Sequence, residues 1–582
     1  MRVCPLLGLH ALGILGCGSS GGDGDRDPSD YTSSTGPDHC GDVTGSEEWA
    51  ADLNPHTISC SVYVEGGSVT VRPGTVVQVA NDAGLYVSYR GERGGLVLDG
   101  TASDPVVFEG AASSERGAWS GIAIYDAADD AQLSFQHAEI SGAGGYYTYG
   151  NIHVEAAEPV VSNVVLSRSE EAGFYFTSGA RFADGSSNIT VLDSAQSGAM
   201  AADNADSFPE AGADLGDNDD PRIWLGGGDV VVPVTWGNPG VAYALGSSVY
   251  LEGTANTPAV LTVQAGVQVE VANDVGIYLS YRGGASGLVT EGTAADPVLF
   301  TAAQTREPGA WSGIGAYDAV DDDAFRLAHT TVEYGGGYYT YGNIDCHGAN
   351  PTIDNVALET SEEAGFYFTD GARFADGSIA LTCTGNAQAG SIGVDGADSV
   401  PEPGAALTGN DWDVVYVQPG DLTESATWGD LGVPYAAGTI YLEGTGANPT
   451  VLTLEAGTTL AFTNDAGLYV SYRGGAAALV AEGTEVAPVT FTAAEFREAG
   501  AWSGISMDDA TVDAQSSLAG IVVEFGGGYY SYGNIHLDDA SPTIAGATIT
   551  DSEEWGIYLG GDASPAISDT TYARNGSGTL GP

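Results

Sequence analysis

Three long stretches of this chain are near-copies of one another, and that repetition constrains its architecture before any single motif is considered. ANDAGLYVSYRG begins at Ala80, ANDVGIYLSYRG at Ala272 and TNDAGLYVSYRG at Thr463. GAWSGI begins at Gly117, Gly309 and Gly500, and SEEAGFYF at Ser169 and Ser361, with SEEWGIYL at Ser552. The offsets are 192 and then 191 residues throughout. The copies open near Trp49, Trp236 and Trp428, giving segments 48–234, 235–426 and 427–582, the last one shortened.

Within one copy the pattern is short β segments such as VVQVA, LYVSY, PVVFEG, NIHVE and GFYF, with alternating apolar positions and Gly, Asn, Asp or Pro between them. No stretch carries a helical period. A sandwich would also give short strands, but not about 190 residues of them without the longer polar connections of a Greek key. A solenoid solves the problem, because coils stacked on one another bury their inward Val, Ile, Leu and Phe as one continuous core.

Charge narrows the partners. The chain has 16 basic and 78 acidic residues, 16 − 78 = −62, and every basic residue is Arg. Such a surface repels phosphate backbones, which argues against nucleic acid. Arg2, the apolar Leu6–Leu15 and then ILGC at Ile14–Cys17 resemble the lipobox of bacterial lipoproteins, followed by a polar stretch. The resemblance implies a signal over 1–17, lipidation at Cys17 and a flexible acidic tether and cap over 18–47. It places the protein outside the cytoplasm, at the outer membrane or cell surface through a lipid anchor; ordinary signal cleavage and secretion is the other reading. An oxidising compartment permits a Cys40–Cys60 bridge. Cys346 and Cys383 stand where the first copy has Val154 and Val191, so a second bridge and two buried thiols are both open.

LTVQAGVQVEV, GTAADPVLFTA, GAWSGI, TTVEYGGG and NPTIDNVALETSEEAGFYF resemble the secreted bacterial right-handed parallel β-helix proteins of the pectate-lyase-like superfold, from about residue 48 to 582. The implied fold is an all-β, right-handed parallel β-helix solenoid with three tandem super-repeats. At ~24 residues a coil, one copy is about eight coils, and the copies should sit at matching angular positions.

The resemblance says less about function, since one fold hosts many. Polysaccharide lyases and glycosidases of this fold are the enzymatic alternative. Their acid–base chemistry would need carboxylates such as Asp129 and Asp130, Asp217–Asp220 or Asp321–Asp323. These loops differ between copies and read equally as solvated turns; a Ca²⁺ ion would suit their oxygens, at no defined site. No cofactor is implied. His137 and His329 correspond, but the third copy has Gly520; His153 and His536 correspond, but the second has Asp345. None of these residues is assigned a catalytic role.

The repeated exposed-looking residues are the binding candidates. If Leu85 and Val87 point inward, Tyr86 and Arg90 point outward, as would Tyr278 and Arg282, and Tyr469 and Arg473. GGYYTYGN, GGYYTYGN and GGYYSYGN carry Tyr147 and Tyr149, Tyr339 and Tyr341, and Tyr530 and Tyr532. Aromatic faces beside hydroxyl and guanidinium groups suit a polysaccharide or a protein partner. A tight structural bend rich in Tyr and Gly is the competing account. The expectation is thus an anchored surface protein with a structural or binding role.

Overall fold

The computed structural model describes residues 36–582. The signal-like segment, Cys17 and the tether up to residue 35 lie outside them. Two compact units divide the chain: residues up to Gly276 with Thr290–Gln304, and Ile277–Val289 with Thr305–Pro582.

In the first unit each turn of chain lays down three short strands, and each pairs in parallel with the strand one turn on. Val76–Val79 pairs with Val106–Gly110, Leu85–Val87 with Ile122–Ile124, and Gly95–Asp99 with the start of Leu133–Ser141. Inward side chains therefore fall into columns. Val64, Val87, Ile124, Val154 and Phe176 stack in register and are all buried, each contributing roughly 1.5–3 kcal/mol of apolar burial. The fold is a parallel β-helix, and the alternation read from the sequence is the in–out alternation of its strands.

Corners between faces explain a puzzle of the repeat. His137 and His329 have φ of 46° and 42°, and Gly520, in the same place, has 57°. The position is a left-handed bend, which glycine adopts freely and histidine tolerates at some cost. These histidines are corner residues.

The first coil starts at Asp38–Val43, which already pairs with His56–Val64, before the repeat boundary at 48. Cys40 and Cys60 on these two strands form a disulfide. Beside it His39 and His56 are buried, with ring nitrogens 2.9 Å apart, and His39 stacks on Trp49 at 4.0 Å. Burial, and then the neighbouring His56, push the His39 imidazole down to about 4, against the opposing pull of Asp38. Glu47, at 3.8 Å, is too distant for a hydrogen bond. His39 is therefore neutral when folded, so the unfolded chain takes up its proton first as pH falls. Stability of this coil should be full above about pH 6.5 and decline towards pH 4, by about 3 kcal/mol. Hydrogen exchange of residues 38–64 at pH 7.5 and 4.5 measures it, and His39→Gln should flatten the difference.

The second unit is built the same way. From Gly342–His347 one sheet runs by parallel pairings through Ala364–Thr369, Gln388–Ile392, Trp412–Val417, Tyr435–Ala437, Thr459–Phe462 and Val489–Ala493 to Ile521–Glu524. Those seven pairings are seven coils. The third-copy equivalent of Gly342–His347 is Gly533–Asp538, the next strand after Ile521–Glu524, and it lies in the adjoining sheet. An offset of 191 residues thus spans seven coils and one further face, about 26 residues a coil. The expected eight coils and matching angular positions are both corrected: copies two and three present equivalent strands on different faces.

The same ladder separates the second cysteine pair. Cys346 opposes Phe368 one coil on, and Cys383, in that same next coil, opposes Leu358 in a different sheet. The two thiols thus sit on different walls of successive coils, and neither opposes the other in a ladder. Both are free, fully buried thiols, raised by burial and so poor nucleophiles. No Cys346–Cys383 bridge forms.

Candidate functional site

The GGYYTYGN segment is a bracket pinned to the coil beneath it. Gly145 lies so close to the GAWSGI turn that a Cβ there would meet the Gly117 carbonyl oxygen at 2.7 Å; Gly337 and Gly528 meet Gly309 and Gly500 oxygens at 2.2 and 2.3 Å. The next residue takes a left-handed turn, with φ of 50°, 54° and 58° at Tyr146, Tyr338 and Tyr529. Thr148, Thr340 and Ser531 are buried, each donating its hydroxyl to a backbone oxygen two residues on. Asn151, Asn343 and Asn534 are fully buried beneath. Each accepts from the loop backbone and donates to a carbonyl of the neighbouring chain.

This bracket holds tyrosine rings outward. Tyr146, Tyr147 and Tyr149 are 77%, 63% and 56% exposed, and their counterparts in the other copies are similarly open. The geometry repeats. Tyr146 and Tyr147 meet edge to face at 4.6 Å, Tyr338 and Tyr339 at 4.4 Å, and Tyr529 and Tyr530 at 4.7 Å. Tyr149, Tyr341 and Tyr532 each lean on the ring of the next coil, Tyr175, Tyr367 and Tyr558, at 5.0 Å. Of the binding candidates, these six outer tyrosines are where the sequence placed them.

The other candidates are differently placed. Tyr86, Tyr278 and Tyr469 do leave the core, but they are buried. A second layer covers them: Tyr86 stacks on Tyr63 at 5.3 Å and meets Tyr89, and Tyr469 stacks on Tyr441 and meets Tyr472. The exposed ring is the one three residues on, Tyr89, Tyr281 or Tyr472. Ser88, Ser280 and Ser471 have φ of 59°, 57° and 62°, which ends the strand alternation. Arg90 is held by Asp42 at 2.7 Å and lies over Tyr63, and Arg473 is held by Asp421 and lies over Tyr441. Arg282 is also engaged. Arg90 and Arg473, though partly exposed, already hold carboxylate partners within the protein.

A feature the sequence reading missed lies under the brackets. The strand after each carries a histidine and a carboxylate two residues apart, in alternate order: His153 and Glu155, Asp345 and His347, His536 and Asp538. His153 Nε2 is 3.3 Å from Glu155, and His347 Nε2 is 3.1 Å from Asp345. Burial pushes His153 down to about 4 and lowers His536, whereas the Asp345 carboxylate raises His347. The His347 Nδ1 also meets the Thr369 hydroxyl at 2.9 Å, with Asp370 at 3.5 Å. The two carboxylates thus sit on opposite ring nitrogens and do not converge. In the third copy Asp508 replaces Tyr125 and Tyr317, and burial, then Asp538 and Glu443, push it up to about 6. Comparing positions one by one hid the pairs; reading i and i+2 together would have found them.

The acidic loops are engaged too. Asp129 holds Arg93 and Gln132, Asp130 caps the Glu158 N–H, Asp219 and Asp220 hold Arg116 and Arg222, and Asp322 accepts from Asn350. Among the described residues no group of three or more His, Cys, Asp or Glu side chains is gathered for a metal. No family model, curated protein or solved structure matches the chain.

Proposed function

We propose that this β-helix is an exported, lipid-anchored surface protein whose tyrosine brackets bind an uncharged polysaccharide. One observation carries the reading: in all three copies a hydrogen-bonded bracket with one left-handed tyrosine keeps three tyrosine rings in water. The bend itself is held by the glycines, Thr148 and Asn151 and does not need the rings. Phenol faces stack on the C–H faces of sugars, and their hydroxyls meet sugar hydroxyls, at the cost of fixing only two side-chain torsions each. Nearby charges are mutually paired, Arg90 with Asp42 and His347 with Asp345, which favours an uncharged ligand over a polyanion. The Cys40–Cys60 disulfide fits an oxidising compartment outside the cytoplasm.

Affinity electrophoresis tests the reading, in gels containing hydroxyethylcellulose, galactomannan, dextran or polygalacturonate. At least one of the three uncharged polymers should retard the chain and polygalacturonate should not. Alanine at Tyr147, Tyr149, Tyr339, Tyr341, Tyr530 and Tyr532 together should weaken retardation about tenfold or more, ~1.4 kcal/mol. Equal mobility in every gel would sink the binding role, and released sugar would make the protein an enzyme instead.

A further inference from the structure

The second unit holds two complete brackets, at Tyr338–Tyr341 and at Tyr529–Tyr532, beside strands Gly342–His347 and Gly533–Asp538. Those strands belong to different sheets, seven coils and one face apart. At ~4.8 Å a coil, the brackets are roughly 35 Å apart along the stack. An extended polymer lying along one face meets one bracket and passes the other by. Filling both takes two strands.

We propose that this unit bridges two strands of an uncharged polysaccharide, one held on each of two adjoining faces. The inference rests on the brackets being polysaccharide sites, and adds the valency and geometry of the unit. A repeat spanning a whole number of coils would line its brackets up along one strand and strengthen the grip on it; a repeat that overshoots by one face divides the same rings between separate strands. The occupant is a polymer of identical units, because equivalent brackets present the same ring geometry, 4.4 and 4.7 Å edge-to-face pairs and 5.0 Å leaning pairs, to both faces. No charge pairing is asked of it, since Asp345 and Arg473 beside the brackets already have partners within the unit. With both brackets of the compact unit filled, each protein joins two strands, and many such joints along long polymers make a network rather than isolated complexes.

The test uses the full chain carrying Tyr147→Ala and Tyr149→Ala, so that only the second unit's brackets remain, with long-chain hydroxyethylcellulose, galactomannan and dextran as probes. Low-shear viscosity should rise several-fold to a maximum at an intermediate protein-to-polymer ratio, then fall when each strand is saturated by its own protein. Adding either Tyr339→Ala with Tyr341→Ala, or Tyr530→Ala with Tyr532→Ala, should abolish the maximum while gel retardation persists. These rings are exposed, so unchanged circular dichroism accompanies each variant. Retardation without a viscosity maximum in the two-bracket chain overturns bridging and leaves binding intact. A maximum that survives with one bracket assigns the bridging elsewhere, self-association included, and also overturns it. No retardation by hydroxyethylcellulose, galactomannan or dextran removes both readings.

Discussion

Trp502→Ala should cost about 3–5 kcal/mol, the range for emptying a large aromatic site in a packed core. The ring is fully buried, stacks on Phe462 at 4.6 Å, and donates its Nε1–H to the Glu524 carbonyl at 2.8 Å. Its own carbonyl accepts the Gly528 N–H of the third bracket. The variant thus opens a cavity, orphans the Glu524 oxygen and loosens the turn on which the tyrosines sit. In a solenoid each coil leans only on its neighbours, so the loss is local. Hydrogen exchange over residues 500–534 should accelerate roughly 10²–10³-fold, while 342–369 stays protected. Trp502→Phe should recover most of the packing but not the hydrogen bond, leaving about 1 kcal/mol of deficit. Unchanged exchange in the alanine variant would show that the tryptophan does not secure the bracket.

Asn534→Ala should be nearly as damaging without creating a large cavity. Its Oδ1 accepts the Gly526 N–H at 2.7 Å, and its Nδ2 donates to the Val523 and Thr550 carbonyls at 3.1 and 2.7 Å, all buried. Leaving three backbone groups unpaired away from water costs about 3 kcal/mol or more. Polysaccharide retardation by the third bracket should fall with it, because Gly526 leads into the tyrosine turn. Asn534→Asp separates polarity from shape. It keeps the acceptor and loses both donors, and ionisation would face the carboxylate against two carbonyl oxygens. The carboxyl would therefore be raised in the folded state, so the variant should be more stable near pH 4 than at pH 7. Urea titrations at the two pH values, read by exchange at 526–534, distinguish the outcomes. Equal stability at both would mean that the carboxyl finds water.

The coil was legible in the sequence because its signal is apolar alternation, and columns such as Val64, Val87, Ile124 and Val154 require that alternation in every turn. The coil length was not. Corner residues such as His137 and Tyr146 add chain in left-handed conformations without adding an apolar position, so ~24 residues became about 26. The same blindness misplaced Tyr86: a serine at φ 59° looks in sequence like one more strand position, yet it turns the next tyrosine outward. Arg90 looked available because its partner, Asp42, lies 48 residues away, two coils back. Glycines flanking tyrosines were visible; that they press the loop onto a carbonyl while the rings stay in water depends on the coil beneath.

The overshoot of one face also bears on how such a chain can lengthen. Within the second unit NIDCH and NIHLD, the cores of two equivalent strands, are laid against different neighbours in different sheets, and both are accommodated. A strand here has no fixed address, only a fixed order relative to the strands before and after it. Tandem duplication then need not respect the pitch of the winding, since any cut that keeps that order can be spliced onto whichever wall comes next. The three-walled coil is a permissive template for copying, and the orientation of each added surface is set by the remainder when copy length is divided by pitch.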